Sequence, residues 1–243
     1  MYEIIEKRVL GPQVTWFKVH APGIARKRQA GQFIMLRVWD DGERIPLTIA
    51  DADPEAGTIT LVSQSVGKTT NHLASLEEGD RLADLVGPLG TATHVEKVGH
   101  VVCVGGGIGI APIYPITQAM GEAGNHITSI LGARSKDLII MEDMMRAVSD
   151  ETIVVTDDGS YGNKGFVTTA LQGLIDEGRK LDRVIAIGPP IMMKMVVKVT
   201  KPHNIPTLVS LNSIMIDGTG MCGGCRVSVS GKSRFVCVDG PEF

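Results

Sequence analysis

Three cysteines and one aspartate near the end of the chain have the spacing of a metal–sulfur site. Two residues separate Cys222 from Cys225, eleven separate Cys225 from Cys237, and four separate Asp217 from Cys222. Plant-type two-iron clusters use a C-x4-C-x2-C run with one distant cysteine, and here Asp217 stands where the first cysteine would be. A carboxylate is an anionic oxygen donor, so D-x4-C-x2-C-x11-C supplies four ligands. Zinc takes the same donors in a tetrahedral site. In another reading Asp217 only caps a turn and a partner supplies the fourth ligand. Gly218, Gly220, Gly223 and Gly224 suit a loop whose amides lie close to a multi-atom cluster. The residues favour a 2Fe–2S cluster over zinc, and Asp217 over an unseen ligand.

Two further stretches have the chemistry of phosphate binding. VVCVGGGIGIAPI (101–113) is an apolar strand breaking into Gly105, Gly106, Gly107 and Gly109, then Ala111 and Pro112. Glycines let amides approach a pyrophosphate, and a helix N-terminus favours its charge. The run departs from G-x-G-x-x-G because Pro112 takes the place of the last glycine. Cys103 reads as a small buried hydrophobe. Three more strand ends carry similar punctuation: Gly132, Ala133 and Arg134; Asp157 and Asp158; Gly188 and Pro189. Ligands of open α/β sheets sit beyond such carboxyl ends. VGKTTNHL offers Gly67, Lys68, Thr69 and Thr70 before a helix. It reads equally as half a phosphate cradle or as a threonine helix cap.

The elements that must position these residues follow a simple order. Residues 1–97 alternate polar and apolar positions over 14–21, 31–39, 43–51 and 57–66, with a helix over 71–80, which predicts an antiparallel β-barrel. Residues 98–210 alternate strands with helices over 112–123, 138–149 and 190–200, which predicts a parallel α/β nucleotide-binding domain. Residues 211–243 are too few to hold a core alone, so a metal centre there is physically useful.

Composition narrows the function classes. The 243 residues carry 24 basic and 27 acidic side chains, a net charge of −3, which gives nucleic acid no electrostatic purchase. No apolar run approaches the ~20 residues of a spanning helix, and MYEIIEKRVLGPQ lacks a signal peptide's apolar region. A cytoplasmic protein with reduced cysteines and no membrane role is expected.

In this order of parts, and in RIPLTIAD, GGGIGIAP, GARSKDL, TDDGSYGNKGFVT and CVDGPEF, the chain resembles ferredoxin–NADP reductase-like proteins of the dihydroorotate dehydrogenase electron-transfer-subunit type. Within that group it looks most like the small subunits of electron-bifurcating NADH-dependent ferredoxin:NADP oxidoreductases, also described as sulfide dehydrogenase. The bifurcating members are those expected to have an aspartate at position 217. The resemblance implies FAD in the barrel, with Thr48 near the flavin ring and backbone contacts from Pro46, Leu47, Ile49 and Ala50. Leu61, Val62 and Ser63 would flank its adenylate half, and Gly67–Thr70 its phosphates. Ile45 stands in the slot of the motif arginine, and Arg44 lies one residue earlier. The resemblance implies NAD(H) on the second domain, whereas Arg134 and Lys136 could grip the 2′-phosphate of NADP. It also implies a larger flavin and iron–sulfur partner subunit that deals with ferredoxin. The rival readings are a dihydroorotate dehydrogenase or sulfide dehydrogenase subunit and, outside enzymes, a zinc-stabilised nucleotide-binding regulator.

Overall fold

The computed structural model describes residues 2–243. They form two compact units: the chain up to Thr93 together with Leu211–Phe243, and His94–Ser210.

The first unit is built on β1 (Tyr2–Gly11), β2 (Val14–His20), β3 (Phe33–Arg37), β4 (Arg44–Asp53), β5 (Thr58–Gln64), β6 (Arg81–Leu82) and β7 (Asp84–Leu89), with helices α1 (Pro22–Ala25) and α2 (Lys68–Ser75). The sheet runs β6-β1-β2-β5-β4-β3-β7. Only Ala83 separates the two edge strands along the chain, so the sheet curls into a nearly closed barrel. The alternation read from the sequence recovers β2 to β5. It misses β1, where Ile4 is buried, the adjacent Ile5 is exposed, and two register shifts break the period. Helix α2 lies three to five residues earlier than the expected 71–80, because Gly67 in extended backbone starts it.

Strand β3 decides what the barrel can carry. Its Ile34 and Leu36 point inward with Phe17, Ile49, Ile59 and Leu61. Side chains alternate along a strand, so Phe33 and Met35 point outward. There they meet Met215, Cys225, Val236 and Cys237 of the last segment. The cysteine segment therefore borrows its core from the outer face of the barrel.

The second unit holds β8 (His100–Gly106), β9 (His126–Ala133), β10 (Glu151–Thr156), β11 (Asn163–Lys164), β12 (Arg183–Ile187) and β13 (Thr207–Val209), with α3 (Ile110–Glu122), α4 (Glu142–Ala147), α5 (Val167–Asp176) and α6 (Pro190–Thr200). The strands are all parallel, ordered β11-β10-β9-β8-β12-β13. The order reverses beside β8, which makes the ends of β8 and β12 the topological switch point where such sheets bind ligands. The helix expected over 138–149 is shorter. Met141 adopts a left-handed φ of 53°, which confines regular helix to α4.

The last segment adds a hairpin, β14 (Arg226–Val229) with β15 (Lys232–Phe235), and a short helix α7 (Val236–Asp239). The amide of Val236 donates to the Cys225 carbonyl at 3.1 Å, so the hairpin brings the two cysteines together.

Candidate functional site

The four proposed metal ligands form two pairs. The sulfur atoms of Cys225 and Cys237 lie 3.2 Å apart, buried beside Val236. Cys222 is exposed, and its amide donates to Asp217 Oδ2 at 2.8 Å. The Thr219 amide donates to Asp217 Oδ1, also at 2.8 Å. These amides, that of Thr219 foremost, hold the Asp217 carboxyl below its ordinary range and therefore ionised. Burial, reinforced by the neighbouring Cys225, pushes the Cys237 thiol up to about 11. Further amides point at sulfur: Gly224 N lies 3.5 Å from Cys222 Sγ and Cys237 N lies 3.4 Å from Cys225 Sγ. The loop follows the barrel surface because Gly218, at φ 77°, has no side chain; a Cβ there would lie 2.5 Å from Met35 Cγ.

This donor set suits two metals better than one. A two-iron cluster takes its ligands in pairs, and the pairs Asp217–Cys222 and Cys225–Cys237 match that requirement.

Next to this loop on the barrel are the residues expected to hold a flavin. In the β3–β4 register Phe33 faces Thr48, Ile34 faces Leu47, and Met35 faces Pro46. Opposed residues share a face, so Thr48 and Pro46 lie on the outer face with Phe33, while Leu47 and Ile49 turn towards the barrel interior. Arg44 is on Thr48's face too, two steps beyond Pro46, and its Nη2 bonds Asp84 Oδ2 at 2.6 Å. Ile45, in the slot of the motif arginine, packs against the barrel core.

Leu61 is core, Val62 and Ser63 are buried, and Ser63 Oγ has no hydrogen-bond partner, an orphaned polar atom that a ligand would satisfy. At Gly67 an added Cβ would meet only open space. The Thr70 hydroxyl caps α2, accepting from the Val66 and Gly67 amides at 3.0 Å each, so the cap reading of this threonine is realised. Thr69 is buried, and Lys68 Nζ lies 5.6 Å from the Trp39 ring centre. What remains for a phosphate is the first turn of amides, which have no carbonyl partner within the helix. The orphaned hydroxyl and the open space at Gly67 fit a flavin nucleotide.

In the second unit the glycine run proves to be tight packing as well as a loop. A Cβ at Gly105 would lie 3.1 Å from Ile110 Cα, and one at Gly109 would strike the Ile187 carbonyl. Gly106 lies against Met192, and so does Gly188, while Gly132 lies against Val167. Only Gly107, at φ 56°, faces open space. Ala111 is buried, Pro112 is in the first turn of α3, and Pro189 stands exposed before α6.

A shallow cleft of about 560 Å³ opens at the ends of β9 and β10, lined by Arg134, Ser135, Leu138, Asp157 and Asp158. The backbone amides of Asp157 and Asp158 donate to the Ala133 and Arg134 carbonyls at 3.1 and 3.2 Å. Hydrogen bonds from Ser160 hold the Asp158 carboxyl below its usual range. Lys136 Nζ is 5.2 Å from the Tyr161 ring centre. The sequence reading passed over Ser135 and Leu138 as lining residues; the only hint was their place just after the β9 end.

Comparison with known proteins agrees with these parts. Residues 212–243 match the iron–sulfur cluster binding domain of dihydroorotate dehydrogenase B, and residues 103–198 an oxidoreductase NAD-binding domain. The chain is 51% identical over 241 residues to the dihydroorotate dehydrogenase B (NAD(+)) electron transfer subunit homolog of Thermotoga maritima, covering 99% of this chain and 85% of that one. The chain belongs to the dihydroorotate dehydrogenase B electron-transfer subunit family. Another family member, the electron transfer subunit of Streptococcus mutans, is 33% identical over 99% of this chain and 94% of its own. A solved structure from work on flavin-based electron bifurcation, that of the NADH-dependent reduced ferredoxin–NADP oxidoreductase, superposes with a TM-score of 0.95. It is 49% identical, across 100% of this chain and 87% of its own. As a family member the chain is an oxidoreductase subunit acting on NAD(H), with a barrel, a parallel nucleotide-binding domain and an iron–sulfur segment.

Proposed function

We propose that this subunit oxidises NADH through FAD held on the barrel and a 2Fe–2S cluster held by Asp217, Cys222, Cys225 and Cys237. It would act within an electron-bifurcating NADH-dependent ferredoxin:NADP oxidoreductase. The observation that carries the reading is a shared face: Thr48, the residue for the flavin ring, stands opposite Phe33, and Phe33 packs with Cys225 and Cys237. When bound, the flavin supplies the conversion of a hydride's electron pair into single electrons, and the cluster supplies a one-electron acceptor. The chain's own residues bind and orient. The Pro46–Ala50 backbone, with Thr48 and Pro46 on its outer face, lies along the flavin. Ser63 Oγ offers it a hydrogen bond, and the Gly67–Thr70 turn offers amides to its phosphates, while Leu47, Ile49 and Leu61 support these from the barrel core.

On the nucleotide domain, the Gly105–Gly109 turn and Gly188–Pro189 lie at the switch point. Arg134 and the carboxylates of Asp157 and Asp158 lie where an adenosine ribose would be read. Two carboxylates accept ribose hydroxyls and repel a 2′-phosphate, which supports NAD(H). Lys136, drawn over Tyr161, leaves Arg134 as the cation lining the cleft. The partner is a larger flavin and iron–sulfur subunit that handles ferredoxin. No described helix is long and apolar enough to cross a membrane, and a cytoplasmic place fits cysteines kept as thiols.

A second reading, the electron-transfer subunit of dihydroorotate dehydrogenase, is favoured by the iron–sulfur domain match. Purifying the native complex anaerobically decides between them. The mass of the large subunit and the flavin and iron content should fit an iron–sulfur flavoprotein partner. A dihydroorotate-oxidising partner would replace the first reading by the second. A colourless zinc protein would overturn both.

A further inference from the structure

Two arginines project from the cysteine hairpin, and their surroundings differ. Arg234 Nη1 is paired with Asp239 Oδ1 at 3.3 Å, so its charge is compensated. Arg226 directly follows Cys225 and has no carboxylate within ion-pair reach among the described residues. Its guanidinium lies 5.7 Å from the ring centre of Phe235, its partner across the hairpin. Phe235 packs in turn against the cluster of Cys225 and Cys237. The same guanidinium sits over the turn between Cys222 and Cys225: a Cβ added to Gly223 would lie 3.5 Å from Arg226 Nη2 and 3.8 Å from Phe235 Cε1. Gly223 itself adopts φ 67°, the left-handed region that favours glycine.

We propose that Arg226 is a positioning residue for the electron-transfer step, raising the reduction potential of the cluster by holding an uncompensated positive charge over the cysteine loop. The inference rests on the cluster reading above. Three thiolates and one carboxylate make a two-iron cluster anionic, and each one-electron reduction adds a negative charge with no bond made or broken. A fixed cation within a Debye length favours the more negative, reduced form. Arginine stays charged at all relevant pH values, so the effect does not titrate. The ring of Phe235 holds the guanidinium over the loop in place of a counter-ion, which leaves its charge directed at the cluster.

The test is an EPR-monitored redox titration of the full chain, comparing wild type with R226K, R226Q and R226M. The two neutral variants should lower the one-electron reduction equilibrium by up to about tenfold, a fall of ~59 mV, and R226K should stay near wild type. The gap should narrow at ~1 M salt, where the Debye length falls to ~3 Å. An unchanged potential in R226Q and R226M, with the cluster signal intact, overturns the role of Arg226 alone. An equal shift in R226K and the neutral variants also overturns it, because loss of packing would then be the cause. A wild type with no cluster signal overturns the cluster reading first and this inference with it.

Discussion

Phe33 stands directly opposite Thr48 in the β3–β4 ladder and packs outward in the same buried cluster as Cys237. One aromatic side chain thus supports both the strand proposed to meet the flavin ring and the segment proposed to hold the iron. Phe33 is 3% exposed. Phe33→Ala should destabilise the first unit by about 3–5 kcal/mol, the usual range for deleting a buried phenyl ring. It should lower flavin and iron content together in the purified protein. Thermal unfolding with cofactor analysis checks this; loss of one cofactor alone would separate the two sites.

Asp217 both accepts two loop amides and is the proposed oxygen ligand. Asp217→Ala removes both roles and should leave little iron bound. Asp217→Cys restores an anionic donor, so the cluster should return with an altered EPR signal and potential. Iron analysis and spectra of the two variants decide the point. Full cluster content with an unchanged spectrum in Asp217→Ala would remove aspartate from the ligand set.

Much of this site was legible in the sequence because its chemistry is local. The D-x4-C-x2-C-x11-C spacing reads in one dimension, as do the glycines at the ends of β8, β9 and β12. What rests on long-range register was not legible. That Phe33 and Met35 lie under the cysteines follows from strand alternation and from contacts about 200 residues apart along the chain. Nothing in GQFIMLRVW distinguishes the outward pair from Ile34 and Leu36. The glycines also had a second purpose the pattern hid: Gly105 and Gly109 let α3 and the end of β12 close in. Strand β1 was missed because its period is broken by two register shifts.

Asp158 borders the cleft at the end of β10 and stays ionised through Ser160. Asp158→Asn keeps the shape but removes one charge from the cleft proposed to receive the ribose. The ratio of NADPH to NADH affinity should rise by about three- to tenfold, with the larger change at low salt. Fluorescence titration of the two nucleotides measures it. An unchanged ratio would remove Asp158 from nucleotide selection.

Glu242 gives the first unit a pH dependence that can be worked out in sign. Its carboxyl accepts a hydrogen bond from Thr93 Oγ1 at 2.8 Å, but burial outweighs that bond and pushes its pKa up from 4.5 to about 7. A carboxyl raised on folding binds its proton more tightly in the native state. The associated stability is full below the unfolded value of 4.5 and is lost as pH rises through about 7. Across that window the loss is up to ~3 kcal/mol. Glu242→Gln keeps the size and the acceptor from Thr93 without a charge. It should match wild type near pH 4.5 and exceed it in stability at pH 8, with the gap opening between those values. Urea unfolding of both proteins across that range gives the comparison. Parallel stability curves would mean that Glu242 titrates in the folded protein as it does in the unfolded chain, and that burial does not raise it.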